Sequence, residues 1–134
     1  MVAELLEFRS HEERHRAIFW AELQRRGRPR CRSYVLCAFG GFVLGLVTGL
    51  LGRAAIAATT VAVERVVLRH LHAQISQLQS SDQAAVRAIE AIVDDEQRHH
   101  DELAEKVGEG AWVRWLEPLV AVSTETVICL GMKL

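Results

Sequence analysis

The sequence is poor in the residues that build turn-rich or cross-linked proteins. Two prolines and 6% aromatics in 134 residues are too few for an all-β design. Three cysteines (Cys31, Cys37, Cys129), an odd number with no CxxC spacing, argue against a disulfide framework and against a thiolate zinc site. Reduced thiols in a reducing compartment are expected instead. Sixteen Lys+Arg against seventeen Asp+Glu leave a formal charge of −1, so there is no global basic field and no nucleic-acid partner is expected. No Gly-x-Gly-x-x-Gly fingerprint occurs, so any nicotinamide would not be held by a Rossmann unit. Met1 to Phe8 carries two glutamates and no basic stretch, which speaks against a signal or transit peptide. What remains is 50% hydrophobic and 25% charged, suited to one folded domain over 1–134.

Almost every segment has helical periodicity. Residues 2–26 are amphipathic and stop at Gly27 and Pro29. Residues 34–52 form an apolar helix in which Gly41, Gly45 and Gly49 share one face, open to close approach by another helix. A third helix covers 54–79, and a fourth covers 83–107 with Ser81 or Asp82 as N-cap. Gly108 and Gly110 break the chain before a last apolar helix over 112–132. Pro118 is expected in its first turn or at a kink. The fold class is all-α, a helix bundle.

The charge is unevenly placed. Residues 25–32 read RRGRPRCR, five arginines in eight positions, and the next twenty, Ser33 to Gly52, carry no charge. A basic cluster beside such a run is the pattern of a membrane-surface contact, mostly interfacial. The competing reading is a buried helix of a soluble bundle preceded by a solvated basic loop.

Chemistry concentrates in two copies of one motif. Glu12-Glu13-Arg14-His15 and Glu96-Gln97-Arg98-His99 both contain Glu-x-x-His, which places carboxylate and imidazole one turn apart on one helix face. Two such helices offer a metal ion nitrogen and carboxylate ligands, a set that favours iron or manganese over structural zinc. Between them Glu64 interrupts an apolar stretch, and a carboxylate there needs a partner. A metal and a salt bridge to Arg65 or Arg98 are the two candidates. Asp95 and Asp101 flank the second motif and are candidates for orienting an imidazole through its other nitrogen. His11 and His100 are read as supporting or exposed, and His70 as partly buried.

On these residues the chain resembles the demethoxyubiquinone hydroxylase family of ubiquinone biosynthesis, membrane-associated ferritin-like di-iron monooxygenases. The matching blocks are HEERH (His11–His15), GFVLGLVTGLLG (Gly41–Gly52), TVAVE (Thr60–Glu64), AQI (Ala73–Ile75) and DDEQRHHDE (Asp94–Glu102). The resemblance implies a ferritin-like bundle with apolar membrane-facing helices. It assigns Glu12 and Glu96 as bridging carboxylates, His15 and His99 as imidazole ligands and Glu64 as a terminal carboxylate. The family has one further N-terminal helix carrying a second terminal glutamate. By that comparison the bundle is N-terminally incomplete, and a homo-oligomer is one source of the sixth ligand. Glu4 and Glu7 lie on the same helix as Glu12 and cannot replace it.

The resemblance further implies two iron ions, dioxygen, NADH as electron donor and hydroxylation of the ring of a polyprenyl quinone or quinol intermediate. The catalytic carboxylates would be Glu12, Glu64 and Glu96. A lipid-binding protein of the same pathway is an implied partner. The expected location is peripheral, on the cytoplasmic face of a bacterial inner membrane or the matrix face of the mitochondrial one. The alternative is a truncated or degenerate relative that binds iron or serves as a membrane interaction module without hydroxylase activity.

Overall fold

A computed structural model describes residues 2–31, 33–107 and 111–131, the side chains of 111–114 and 131 excepted. Five helices follow in order: α1 Val2–Arg25, α2 Tyr34–Leu51, α3 Arg53–Leu78, α4 Gln83–Ala104 and α5 Ala111–Gly131. No strand occurs among the described residues, as the periodicity predicts. Arg32, the break at Gly108 and Gly110, and the last position of the fifth expected helix lie outside the described residues.

The ends are set by local chemistry. Past α1, Gly27 takes φ +62° while Arg28 N donates to Leu23 O (2.9 Å), closing the last carbonyls of the helix. Asp82 caps α4 by accepting from Ala85 N at 3.1 Å, so of the two expected caps it is the one used. Gly52, at φ +96°, is the single residue between α2 and α3. Pro118 lies inside α5, past its second turn, because that helix begins at Ala111 rather than nearer the proline.

The α3 helix is the spine. Ala55, Ala57, Ala58, Val61, Ala62, Val66, Leu68 and Leu71 are buried along it, and α2, α4 and α5 all pack against it, while α1 packs on α4. Two apolar clusters result. One holds Phe8, Ala57, Val61 and Leu103; the other holds Leu71, Ile89 and Ile92, backed by Ile18, Phe19 and Val67. Burial at this density supplies about 1.5–3 kcal/mol per large apolar side chain.

The apolar α2 helix contradicts the buried-helix reading. Its only buried residue is Thr48, whose hydroxyl bonds back to Leu44 O at 2.9 Å. Phe42 is 68% and Leu50 82% exposed. The expected close approach on the glycine face is not made either. A Cβ added at Gly41, Gly45 or Gly49 would meet nothing within 4 Å, because α3 packs elsewhere on α2. By length and composition α2 is one helix able to cross a membrane. On α5 the apolar exposure continues at Trp115, Leu119 and Val122.

The basic cluster is also partly consumed within the protein. Arg25 and Arg26 both pair with Glu22, and Arg26 reaches across to Asp82, tying the end of α1 to the start of α4.

Candidate metal centre

Three helices deliver acidic or imidazole groups to one layer. On α1, Glu12 and His15 lie between Phe8 and Ile18. On α3, Glu64 lies between Val61 and Val67, and on α4, Glu96 and His99 lie between Ile92 and Leu103. The same order on each helix places a polar layer between the two apolar clusters. Glu12, Glu64, Glu96 and His99 each present one ligand atom within 4.8 Å of the others. Glu64, Glu96 and His99 are buried, whereas Glu12 keeps 49% of its side chain exposed.

His15 stands just outside that group of four, yet it faces the same point. Its ring is 4% exposed, and Nε2 donates to Asp95 Oδ2 at 3.0 Å. In the neutral ring that leaves a lone pair on Nδ1. This nitrogen is buried without a hydrogen-bond partner although Glu96 Oε1 is 2.9 Å away and Glu12 Oε1 3.9 Å away. A lone pair set against two carboxylates is repulsive unless a cation lies among them.

The electrostatics agree. Burial pushes Glu64 well above the ordinary carboxylate range, reinforced by a hydrogen bond with Glu96 and by the nearby Glu96 and Glu12 charges. Burial and the Glu96 charge raise Glu12 as well. Among the described residues no arginine or lysine pairs with Glu64. Arg65 bonds to Glu117 on α5 and Arg98 donates to Asp95 Oδ1 at 2.6 Å, so the salt-bridge reading of Glu64 fails. Burial lowers His99, favouring the neutral ring that a metal requires.

The surrounding polar residues have distinct tasks. Asp95 receives His15, Arg14 and Arg98; burial raises its carboxyl, but His15 and Arg14 outweigh this and hold it at about 2. Asp101 instead bonds His100 and Gln97 on its own helix and orients no residue of the cluster. His11, read from sequence as supporting or exposed, places Nδ1 2.8 Å from His99 Nε2. The signal for it was its i, i+4 relation to His15, which puts both rings on the same face of α1. His70 lies away from this layer in a pairing with Glu125 on α5 at 3.0 Å. Glu4, as expected, takes no part: it accepts from Lys106 Nζ at 2.5 Å.

The sequence model of the family described as ubiquinone biosynthesis protein COQ7 matches residues 1–131. The chain belongs to the COQ7 family. It is 32% identical over 132 residues to a Dictyostelium discoideum protein named NADPH-dependent 3-demethoxyubiquinone 3-hydroxylase, mitochondrial. That alignment covers 95% of this COQ7-family chain and 60% of the relative, so the chain spans about three-fifths of the length of the protein it matches. No solved structure matches. The membership agrees with the resemblance read from the Glu-x-x-His pair, the glycine-rich block and TVAVE.

Proposed function

We propose that this chain is a di-iron monooxygenase that hydroxylates the ring of a demethoxyubiquinone or quinol intermediate in ubiquinone biosynthesis. The observation that carries the proposal is the convergence of Glu12, Glu64, Glu96 and His99, with the orphaned Nδ1 of His15 aimed at the same carboxylates. Carboxylates and imidazoles without thiolate suit iron, and the Glu-x-x-His pair matches the donor pattern of ferritin-like di-iron bundles. Family membership and the relative's name supply the substrate class.

The residues present fit the metal, and their tasks follow from their placement. Glu12 and Glu96, arriving from opposite helices, would bridge two ions, with His15 and His99 as nitrogen ligands and Glu64 as a terminal carboxylate. When bound, iron supplies the activation of dioxygen. Asp95 keeps the proton of His15 on Nε2, so that Nδ1 stays free to bind. Ionised, the three carboxylates give the layer the negative charge that oxidised iron requires. The apolar clusters on both sides exclude water from the buried ligands. The exposed surfaces of α2 and α5 would hold the protein on a membrane and receive the polyprenyl tail.

Electrons are proposed to come from a reduced nicotinamide: NADH by the resemblance, NADPH by the relative's name. The matrix face of the mitochondrial inner membrane or the cytoplasmic face of a bacterial one is the proposed location. A lipid-binding protein of the pathway and a second copy of the chain are the proposed partners.

Anaerobic loading with Fe(II) tests the reading. About two irons per chain, lost in Glu64→Ala, together with nicotinamide-dependent addition of one oxygen atom to demethoxyubiquinone in vesicles, is the expected result. Iron well below one per chain in both proteins would overturn it in favour of a relative without hydroxylase activity.

A further inference from the structure

We infer that the turn between α1 and α2 is a headgroup collar, in which Arg28 and Arg30 bind the anionic lipids of a bilayer that receives α2. The inference rests on the membrane association proposed above and adds to it the lipid chemistry and the end of α2 that meets the surface.

The arginine cluster divides in two. Arg25 and Arg26 are neutralised by Glu22 and Asp82 and serve the bundle. Arg28 and Arg30 are exposed, and no carboxylate among the described residues lies within ion-pair range of either. Arg30 is nevertheless held in place. Its guanidinium lies 4.4 Å from the ring centroid of Trp20 and 5.1 Å from that of Tyr34. Such stacking leaves the in-plane N–H groups of the guanidinium directed outward, the geometry that suits a phosphate.

Position supplies the second half of the argument. Tyr34 opens α2, so the stack sits where the apolar surface begins. Tryptophan and tyrosine favour the headgroup level of a membrane, and each Arg near an anionic surface adds to binding. Beyond the stack, Val35, Phe39, Phe42, Leu46 and Leu50 are exposed at spacings of four, three, four and four, which places them in one stripe. The sequence from Ser33 to Gly52 is uncharged. A second copy of the chain lying along α2 would therefore offer no acid on that helix to answer the two arginines, whereas an anionic headgroup answers both.

The test is co-flotation of the full chain with vesicles of pure phosphatidylcholine and with vesicles containing phosphatidylglycerol, at low and high salt. The wild-type chain should bind phosphatidylcholine weakly and the anionic vesicles roughly ten- to thirtyfold more tightly, with the increment fading in salt. R28Q/R30Q should lose the increment, keep its binding to phosphatidylcholine and keep its helical circular dichroism. R28K/R30K should retain most of the increment. Equal wild-type binding to both vesicles, or a preference that survives in R28Q/R30Q, would overturn the collar and leave membrane association standing. Binding to neither vesicle, whether or not the chain is dimeric by light scattering, would overturn both.

Discussion

His11 lies flat against His99. The rings are 4° from parallel with centroids 5.1 Å apart, and Nδ1 of one is 2.8 Å from Nε2 of the other. The contact joins α1 to α4 and occupies one nitrogen of His99, so Nδ1 is the nitrogen left for a metal. Phe8 closes another side of the same ring at a centroid distance of 4.2 Å.

Removing His11 should therefore loosen a ligand without deleting it. His11→Ala is expected to weaken Fe(II) or Mn(II) binding about 10–100-fold, the usual effect of losing the partner of a ligating imidazole. His11→Asn, which keeps a hydrogen-bonding group at the position, should recover part of the loss. Metal titrations of the three proteins check this, and unchanged affinity in His11→Ala would show that Phe8 alone positions the ring.

Asp95 should behave similarly for the other imidazole. Asp95→Asn removes the carboxylate that fixes the tautomer of His15 and also serves Arg14 and Arg98. A drop of about 10–100-fold in metal affinity with unchanged helical content is expected. Asp101→Asn, which touches only His100 and Gln97, should leave metal binding unaltered.

The metal-free protein should lose stability as pH rises. Glu64 and Glu12 are held above their ordinary value of 4.5, chiefly by burial, so folding favours their protonated forms. A raised pKa contributes stability that is complete below the unfolded value and disappears as pH climbs toward the folded one. Melting temperatures in chelator should thus fall from about pH 5 upward, through neutrality. Glu64→Gln should flatten this slope and stabilise the metal-free chain near pH 7 by about 1–3 kcal/mol, since it removes a buried charge with no cationic partner. Saturating divalent metal should abolish the slope in the wild type alone.

Two glycines should respond in opposite directions. Gly52 sits at φ +96° and ψ −175°, a region essentially reserved for glycine, so Gly52→Ala should destabilise the fold by about 1–3 kcal/mol. Gly45 is helical and its missing Cβ would meet only open space, so Gly45→Ala should stabilise α2 by about 0.5–1 kcal/mol. Thermal denaturation in detergent measures both. A destabilised Gly45→Ala would reveal a helix from another molecule seated on that face.

The all-α class and the helix boundaries were legible because periodicity, caps and punctuating glycines act locally. The site was legible for a related reason: Glu-x-x-His works within one helix turn, and Glu64 is conspicuous among valines. Pairings across helices were less accessible. Which arginine meets which acid depends on rotation of whole helices, so Arg65 turns to Glu117 and Arg98 to Asp95 although both were candidates for Glu64. The same rotation decides that Asp95 serves His15 on the opposite helix rather than its neighbour His99. The open glycine face escaped too, since spacing shows that a helix can approach but not that one does.

The flanking clusters also fix how small molecules reach the centre. Phe8, Val61 and Leu103 stopper the bundle at one end, and Leu71, Ile89 and Ile92 stopper it at the other. Passage along the bundle axis is blocked in both directions. The half-exposed carboxylate of Glu12 marks the remaining way in, from the side, so that this one ligand would be both part of the centre and its doorstep.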